Sequence, residues 1–197
     1  KGTVIFRLNE HVKRFFFSIE ALRLNIKFGP SDISEAIKSL LAKNKLGDAY
    51  IRPIAFYSSG KLGVFPKDIP SSVCIIADPW GSYYSKNLRV MTSSIIKPSD
   101  KATVYGTKIG GYYFNSILAK HEASENGYDE ALMLDDKGFV SEGPVQNLFL
   151  VSRNRLITPN SRSILPGITR DSIMKIGRDF GIDVSERQVT LRQIYDA

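Results

Sequence analysis

The chain has 197 residues, 43% of them hydrophobic and 24% charged, which supports a buried core and excludes a disordered tract. Its formal charge of +7 is spread along the chain without a basic stripe or an aromatic–basic motif. That disfavours nucleic acid as a partner and suits small anions such as phosphates and carboxylates, and no apolar run approaches the length of a membrane span.

Taken in order, residues 3–8 read as a strand, and residue 1 is not Met, so the chain reads as starting inside a fold. Residues 10–23 space Val12, Phe15, Phe16, Ile19 and Leu22 as one face of a helix. A second helix is expected to open at Ser31-Asp32, with Asp32 and Glu35 as a capping box and Ile33, Ile37, Leu40 and Leu41 as its apolar face. Residues 50–57 read as a strand that Pro53 makes an edge or a bulge, followed by a turn at 58–60. Residues 73–77 form the most apolar strand and carry Cys74, the single cysteine, which is expected in the core. One thiol supports neither a disulfide framework nor a zinc site and suits a reducing cytoplasm. His11 and His121 fall among helical residues, neither with a second histidine at ligand spacing, so no metal is expected.

After an irregular connector at 79–84 the texture changes. A strand is expected at 89–92, a helix at 113–126, and short strands at 130–134, 139–141, 147–151 and 155–158. A helix at 167–180, a strand at 182–185 and a short helix at 191–195 complete the pattern. The class is α/β (α+β), with a small α/β domain over residues 1–82 and a larger, strand-rich domain over 83–197. The connector between them is a natural place for a cofactor cleft.

Three features carry chemistry. Lys108 precedes two glycines and two tyrosines at the mouth of a helix; an amine that condenses with a carbonyl needs a dry pocket and room for a planar ring. Glu142 closes the 139–141 strand, where a carboxylate can hold a pyridine nitrogen protonated. The stretch LPGITR at 165–170 puts glycine and proline before a helix, leaving the amides of Ile168 and Thr169 available to a phosphate. Each has a plainer reading by itself: a solvated lysine, an exposed strand-end glutamate and ordinary helix capping.

Together with AYIRP at 49–53, PWG at 79–81, KIGGYY at 108–113, GYDEA at 127–131 and EGPVQNLF at 142–149, they give a sequence that resembles the fold-type IV (class IV) aminotransferases. The resemblance runs from end to end and is nearest to the branched-chain members. It implies pyridoxal 5′-phosphate as cofactor, with Lys108 as the Schiff-base lysine, Tyr113 on the ring's O3′ and Glu142 on the pyridine nitrogen. Leu165 then lies on the ring face, and Arg14, Ile168 and Thr169 hold the phosphate. Tyr50, Arg52, Val64 and Trp80 border the substrate side, where the arginine would take the distal carboxylate of glutamate and the apolar groups a branched side chain.

The activity implied is transamination between branched-chain L-amino acids and 2-oxoglutarate, in a cytoplasmic homo-oligomer built of dimers. A D-amino acid aminotransferase, an aminodeoxychorismate lyase of the same fold, and a non-catalytic truncated form are the alternatives. Three positions depart from the family pattern: Tyr112 replaces a commoner asparagine, Val145 a glycine and Gln146 a glutamate, and Val145 would narrow the space beside the ring. The resemblance also implies a strand–helix section before Lys1, and a segment beyond Ala197 with a phosphate-binding threonine and amides for the substrate carboxylate.

Overall fold

The computed structural model describes residues 4–58, 60, 69–81 and 87–197. The chain divides into two compact units, Lys1–Tyr84 and Ser85–Ala197.

The first unit places two helices, α1 (Leu8–Ala21) and α2 (Pro30–Asn44), against a hairpin of β1 (Ala49–Tyr57) and β2 (Ser71–Pro79). Val12, Ile33, Ile37 and Leu41 pack with Ile51, Val73, Ile75 and Ala77 in one apolar cluster. Burying a side chain such as Ile37, 2% exposed, stabilises the unit by about 1.5–3 kcal/mol. No strand forms over residues 4–8, which enter α1 through a turn.

Two expectations are corrected here, and a third is narrowed to one of its two readings. The cap that starts α2 lies one turn earlier than the sequence suggests: Pro30 takes the first helical position, and the Gly29 N–H donates to Asp32 Oδ2 at 2.7 Å, the half of a capping box that a glycine allows. Glu35 pairs instead with Lys38. Pro53 causes no bulge; β1 and β2 pair in unbroken antiparallel register, with Pro53 opposite Ile75. In a two-stranded ladder every strand has an open edge, so the missing N–H need cost no ladder bond. Cys74 is exposed, because the alternation that turns Val73, Ile75 and Ala77 toward the helices turns Cys74 and Ile76 away.

The second unit is built on two short sheets. β3 (Val90–Thr92) runs parallel to β4 (Glu130–Leu132), and α3 (Tyr113–Glu125), entered through a 3₁₀ turn at Gly110–Tyr112, lies against them. Ala119 and Ala123 of α3 meet Ala131 and Met133 in a fully buried seam. β5 (Leu150–Ser152), β6 (Arg155–Pro159) and β7 (Asp183–Arg187) make the other sheet, antiparallel then parallel. α4 (Ile168–Asp179) packs on β7, and α5 (Leu191–Tyr195) ends the described chain behind a Thr190–Gln193 capping box.

Of the strands expected at 139–141 and 147–151, only residues 150–151 lie in a strand, the first two of β5. Val140 makes an isolated bridge to Leu134, and Asn147 stands in a loop. Both stretches are apolar, and the first is tied by single backbone bonds instead of a ladder: the Val140 N–H donates to the Val189 carbonyl at 2.8 Å and the Ser141 N–H to the Met133 carbonyl at 3.0 Å.

α4 sits close on its sheet because Gly177 has no side chain. A Cβ there would lie 2.8 Å from Val184 Cγ2 and 3.5 Å from Leu156 Cδ2. Gly177→Val is therefore expected to destabilise the protein by about 1–3 kcal/mol through overpacking. Urea unfolding measures it, and an unchanged midpoint would show that the helix stands off the sheet.

Candidate active site

The second unit contains a cavity lined by Lys97, Lys108, Tyr113, Glu142, Asn147 and Leu165, among other residues. Four of the residues singled out in the sequence meet there. Lys108 Nζ donates to the Tyr113 hydroxyl and lies 5.1 Å from the centre of its ring. The two side chains come from opposite ends of the 3₁₀ turn that leads into α3, so the glycines at 110 and 111 bring amine and phenol together. Lys108 is exposed, so the dry surroundings expected of it are not supplied by the described residues of its own unit.

Glu142 is the opposite case. It is 6% exposed, and its carboxylate meets three donors from three segments. Lys97 Nζ lies 3.0 Å from Oε1, the Leu165 N–H donates to Oε1 at 3.3 Å, and Asn147 Nδ2 donates to Oε2 at 2.7 Å. Burial pushes its pKa above the ordinary glutamate value, and Lys97, Leu165 and Asn147 each pull it back in part. A carboxylate has about four acceptor positions, so one on Oε2 remains unused among the described residues.

Asn147 ties this carboxylate to the entrance of α4. Its Nδ2 also donates to the Leu165 carbonyl at 2.9 Å, and its Oδ1 lies against Gly167, the cap residue of the helix. Behind the cap, Arg170 is 7% exposed and pins the first turn of α4 to the sheet, reaching Thr158 Oγ1 at 3.1 Å, the Pro159 carbonyl at 2.8 Å and Glu186 at 2.7 Å. Ile168 and Thr169 thus hold the first two positions of a fixed helix, where amides point out of the N-terminal end. Neither lines the cavity itself, whereas Leu165 does.

The loop after Glu142 has its own brace. Gln146 Nε2 donates to the buried Glu130 at 2.8 Å, Gln146 Oε1 accepts from the Val145 N–H at 3.1 Å, and Lys120 pairs with Glu130 at 3.0 Å. The glutamine at 146 therefore links this loop to β4. Val145 is 61% exposed and also lines the cavity. The Tyr112 hydroxyl accepts from the Val104 N–H at 2.9 Å, closing the loop before Lys108.

The proposed substrate-side residues lie on the first unit. Tyr50 and Trp80 stack with ring centres 4.8 Å apart and planes 23° from parallel. Arg52 lies 5.1 Å from the Tyr50 ring centre and donates to its hydroxyl at 3.2 Å. Strand alternation puts Tyr50 and Arg52 on the face of β1 turned away from the helices. Arg14 is half-buried on α1, and Val64 lies outside the described residues.

Lys97 and Asn147 were not singled out from the sequence. Asn147 stands inside the EGPVQNLF stretch, where only the reading of a strand hid it; Lys97 gives no local signal, since its partner is far along the chain. Among the described residues no group of three metal-binding side chains forms and no helix is long and apolar enough to cross a membrane.

Known proteins match this chain in sequence and fold. The family model for amino-transferase class IV matches residues 1–197. A branched-chain-amino-acid aminotransferase of Pseudomonas aeruginosa is 35% identical over 100% of this chain and 66% of its own length. One of Escherichia coli K12 is 36% identical over 99% and 65%. A crystal structure of the T.th. branched-chain amino acid aminotransferase, complexed with N-(5′-phosphopyridoxyl)-L-glutamate, superposes with a TM-score of 0.92 at 42% identity, covering 96% of this chain and 64% of that one. The chain thus spans slightly under two thirds of the length of these relatives.

Gly167 has to be glycine for the Asn147 bridge to form, because a Cβ would overlap Asn147 Oδ1. Gly167→Ala is expected to displace the amide from both Glu142 and Leu165 and to cost about 1–3 kcal/mol. Gly81→Ala, where a Cβ meets nothing within 4 Å, is the control and should stay within about 0.5 kcal/mol. Equal unfolding midpoints for the two variants would contradict the bridge.

Proposed function

The chain belongs to the class IV amino-transferases, and on that footing we propose that its activity is the pyridoxal-phosphate-dependent exchange of amino groups between branched-chain L-amino acids and 2-oxoglutarate. The observation that carries this reading is one cavity bearing an amine in contact with a phenol, Lys108 with Tyr113, and a buried carboxylate with acceptor capacity left, Glu142. The donor set fits the cofactor. Lys108 would hold its aldehyde carbon, Tyr113 its O3′ and Glu142 its pyridine nitrogen, with Leu165 against the ring. Arg14 and the amides of Ile168 and Thr169 are the groups assigned to its phosphate.

When bound, pyridoxal phosphate supplies an aldehyde for the amino group and a protonated ring that accepts the electron pair left as the α-proton departs. The protein does the rest. Glu142, when ionised, would accept from the pyridine N–H and keep that nitrogen protonated. Lys108 Nζ would hold the cofactor and, when free of it, would take the proton from the substrate Cα and hand it on. Tyr113 gives Lys108 a fixed direction through its hydroxyl.

On the substrate side, Arg52 would offer a guanidinium for the distal carboxylate of glutamate, and Tyr50 and Trp80 would offer apolar surface to a branched side chain. The relatives named as branched-chain enzymes, and the neighbour complexed with a phosphopyridoxyl-glutamate, support both substrates. We also assign the protein to the cytoplasm, which its single cysteine suits, as a homo-oligomer, which the family resemblance implies.

In the full chain, borohydride is expected to fix the cofactor on Lys108, read as added mass on the peptide that contains it. Lys108→Ala should abolish that mass and lower turnover by at least roughly 10²–10⁴-fold. A variant that kept both would remove Lys108 from the mechanism. A substrate panel tests the specificity: L-leucine, L-isoleucine and L-valine should turn over with 2-oxoglutarate, whereas activity confined to D-alanine or aminodeoxychorismate would overturn the branched-chain reading.

A further inference from the structure

We propose that Lys97 is a positioning residue for Glu142, the counter-charge that keeps this carboxylate ionised and fixes its direction in the cavity. The inference rests on the reading of Glu142 as the partner of the cofactor's pyridine nitrogen, and adds to it a residue with no part in that reading.

The geometry of Lys97 argues for a dedicated role. The residue is 6% exposed, and its ammonium carries three donors, which meet three acceptors: Glu142 at 3.0 Å, Ser116 Oγ at 3.2 Å and the Pro144 carbonyl at 3.1 Å. With its donors so matched, Lys97 has none to spare for a ligand, although it lines the cavity. It therefore acts on a ligand through Glu142.

The segment that carries Lys97 is held from several sides. The Ser93 N–H donates to the Leu132 carbonyl at 2.9 Å and the Lys97 N–H to the Leu134 carbonyl at 2.9 Å, prolonging the β3–β4 alignment. Asn115 of α3 donates to the Ile96 carbonyl at 2.8 Å, and Glu122 of α3 accepts from the Ser93 hydroxyl and the Ser94 N–H. The fold thus delivers the ammonium to one place.

A buried charge pair of this kind is a poor way to gain stability, because apolar replacements of similar volume are often as stable. What an apolar pair cannot do is leave an ionised oxygen facing a cavity. Here one carboxylate oxygen meets the lysine and the Leu165 amide, while the other meets Asn147 and retains an acceptor position. Burial works against ionisation of Glu142, and the charge of Lys97 is the largest influence opposing it. The other charged or titratable groups that line the cavity are Lys108, Arg162, Tyr105, Tyr112 and Tyr113.

The test uses the full chain with isotope-labelled glutamate, and follows the Glu142 carboxyl by infrared difference spectroscopy in the cofactor-free protein, with Glu142→Gln to assign the band. Lys97→Met is expected to raise the Glu142 midpoint by roughly 1–3 units, and Lys97→Arg to return it toward the wild-type value. A midpoint unmoved in Lys97→Met overturns the positioning role.

Should Lys97→Met unfold at neutral pH, its stability is followed against pH beside that of Lys97→Met/Glu142→Gln. A glutamate whose folded pKa is raised favours the fold while protonated, so Lys97→Met should be stable in acid and lose stability as pH rises through the carboxyl's range. The double variant should show no such loss, and parallel curves for the two would overturn the proposal.

A separate arm reads affinity for pyridoxal phosphate by equilibrium dialysis. Lys97→Met and Glu142→Gln should each weaken binding, and the double variant should be no weaker than Glu142→Gln, since both act through one carboxylate. Failure of Glu142→Gln to change affinity would overturn the reading of Glu142 itself. Failure confined to Lys97→Met in the infrared arm would overturn only the role of Lys97.

Discussion

A carboxylate that is 6% exposed has to be paired and hydrogen-bonded, and the larger unit is organised around that requirement at Glu142. Three segments distant in sequence each contribute a donor: Lys97 from the stretch after β3, Asn147 from the loop before β5, and the Leu165 amide from the approach to α4. None of these segments is a helix or a strand at that point. The regular elements hold their ends, α3 and β4 for the first, β4 for the second through Gln146 and Glu130, and the buried Arg170 for the third. Loops then carry the chemistry at fixed positions on a rigid frame.

That division explains what was legible in the sequence. The helices were, because a 3.6-residue repeat of Val12, Phe15, Phe16 and Ile19, or of Ile33, Ile37 and Leu41, states a buried face locally. The hairpin of the first unit was legible as strands, and Pro53 as the mark of an edge strand, although not which of edge or bulge it signalled. Cys74 was misplaced for a related reason: in a run as apolar as residues 72–77 the side chains give no alternation, and only the partner helices decide which face is inside.

Within the site, Lys108, Tyr113, Glu142 and Leu165 were readable as a motif order, and they do line one cavity. Lys97 was not readable, because a lysine before a proline in a polar stretch looks solvated until its acid partner arrives from elsewhere in the chain. Asn147 was within a recognised motif but read as part of a strand. An asparagine that bridges a carboxylate and a carbonyl has no periodic signature; its trace in the sequence is the glycine at 167, which its amide oxygen needs as a neighbour.

Two lysines line one cavity and differ in what surrounds them. Lys97 is buried, its donors matched by a carboxylate, a hydroxyl and a carbonyl. Lys108 is exposed and meets the hydroxyl and ring of Tyr113. An amine that must form and break a bond to carbon needs its lone pair, and an ammonium locked onto a carboxylate has none to give. The same contact that disqualifies Lys97 as a nucleophile suits it to keep Glu142 charged, and a phenol beside Lys108 directs that amine without neutralising a charge on it. Environment, rather than residue type, separates the two roles, as it does for paired carboxylates in acid–base catalysis.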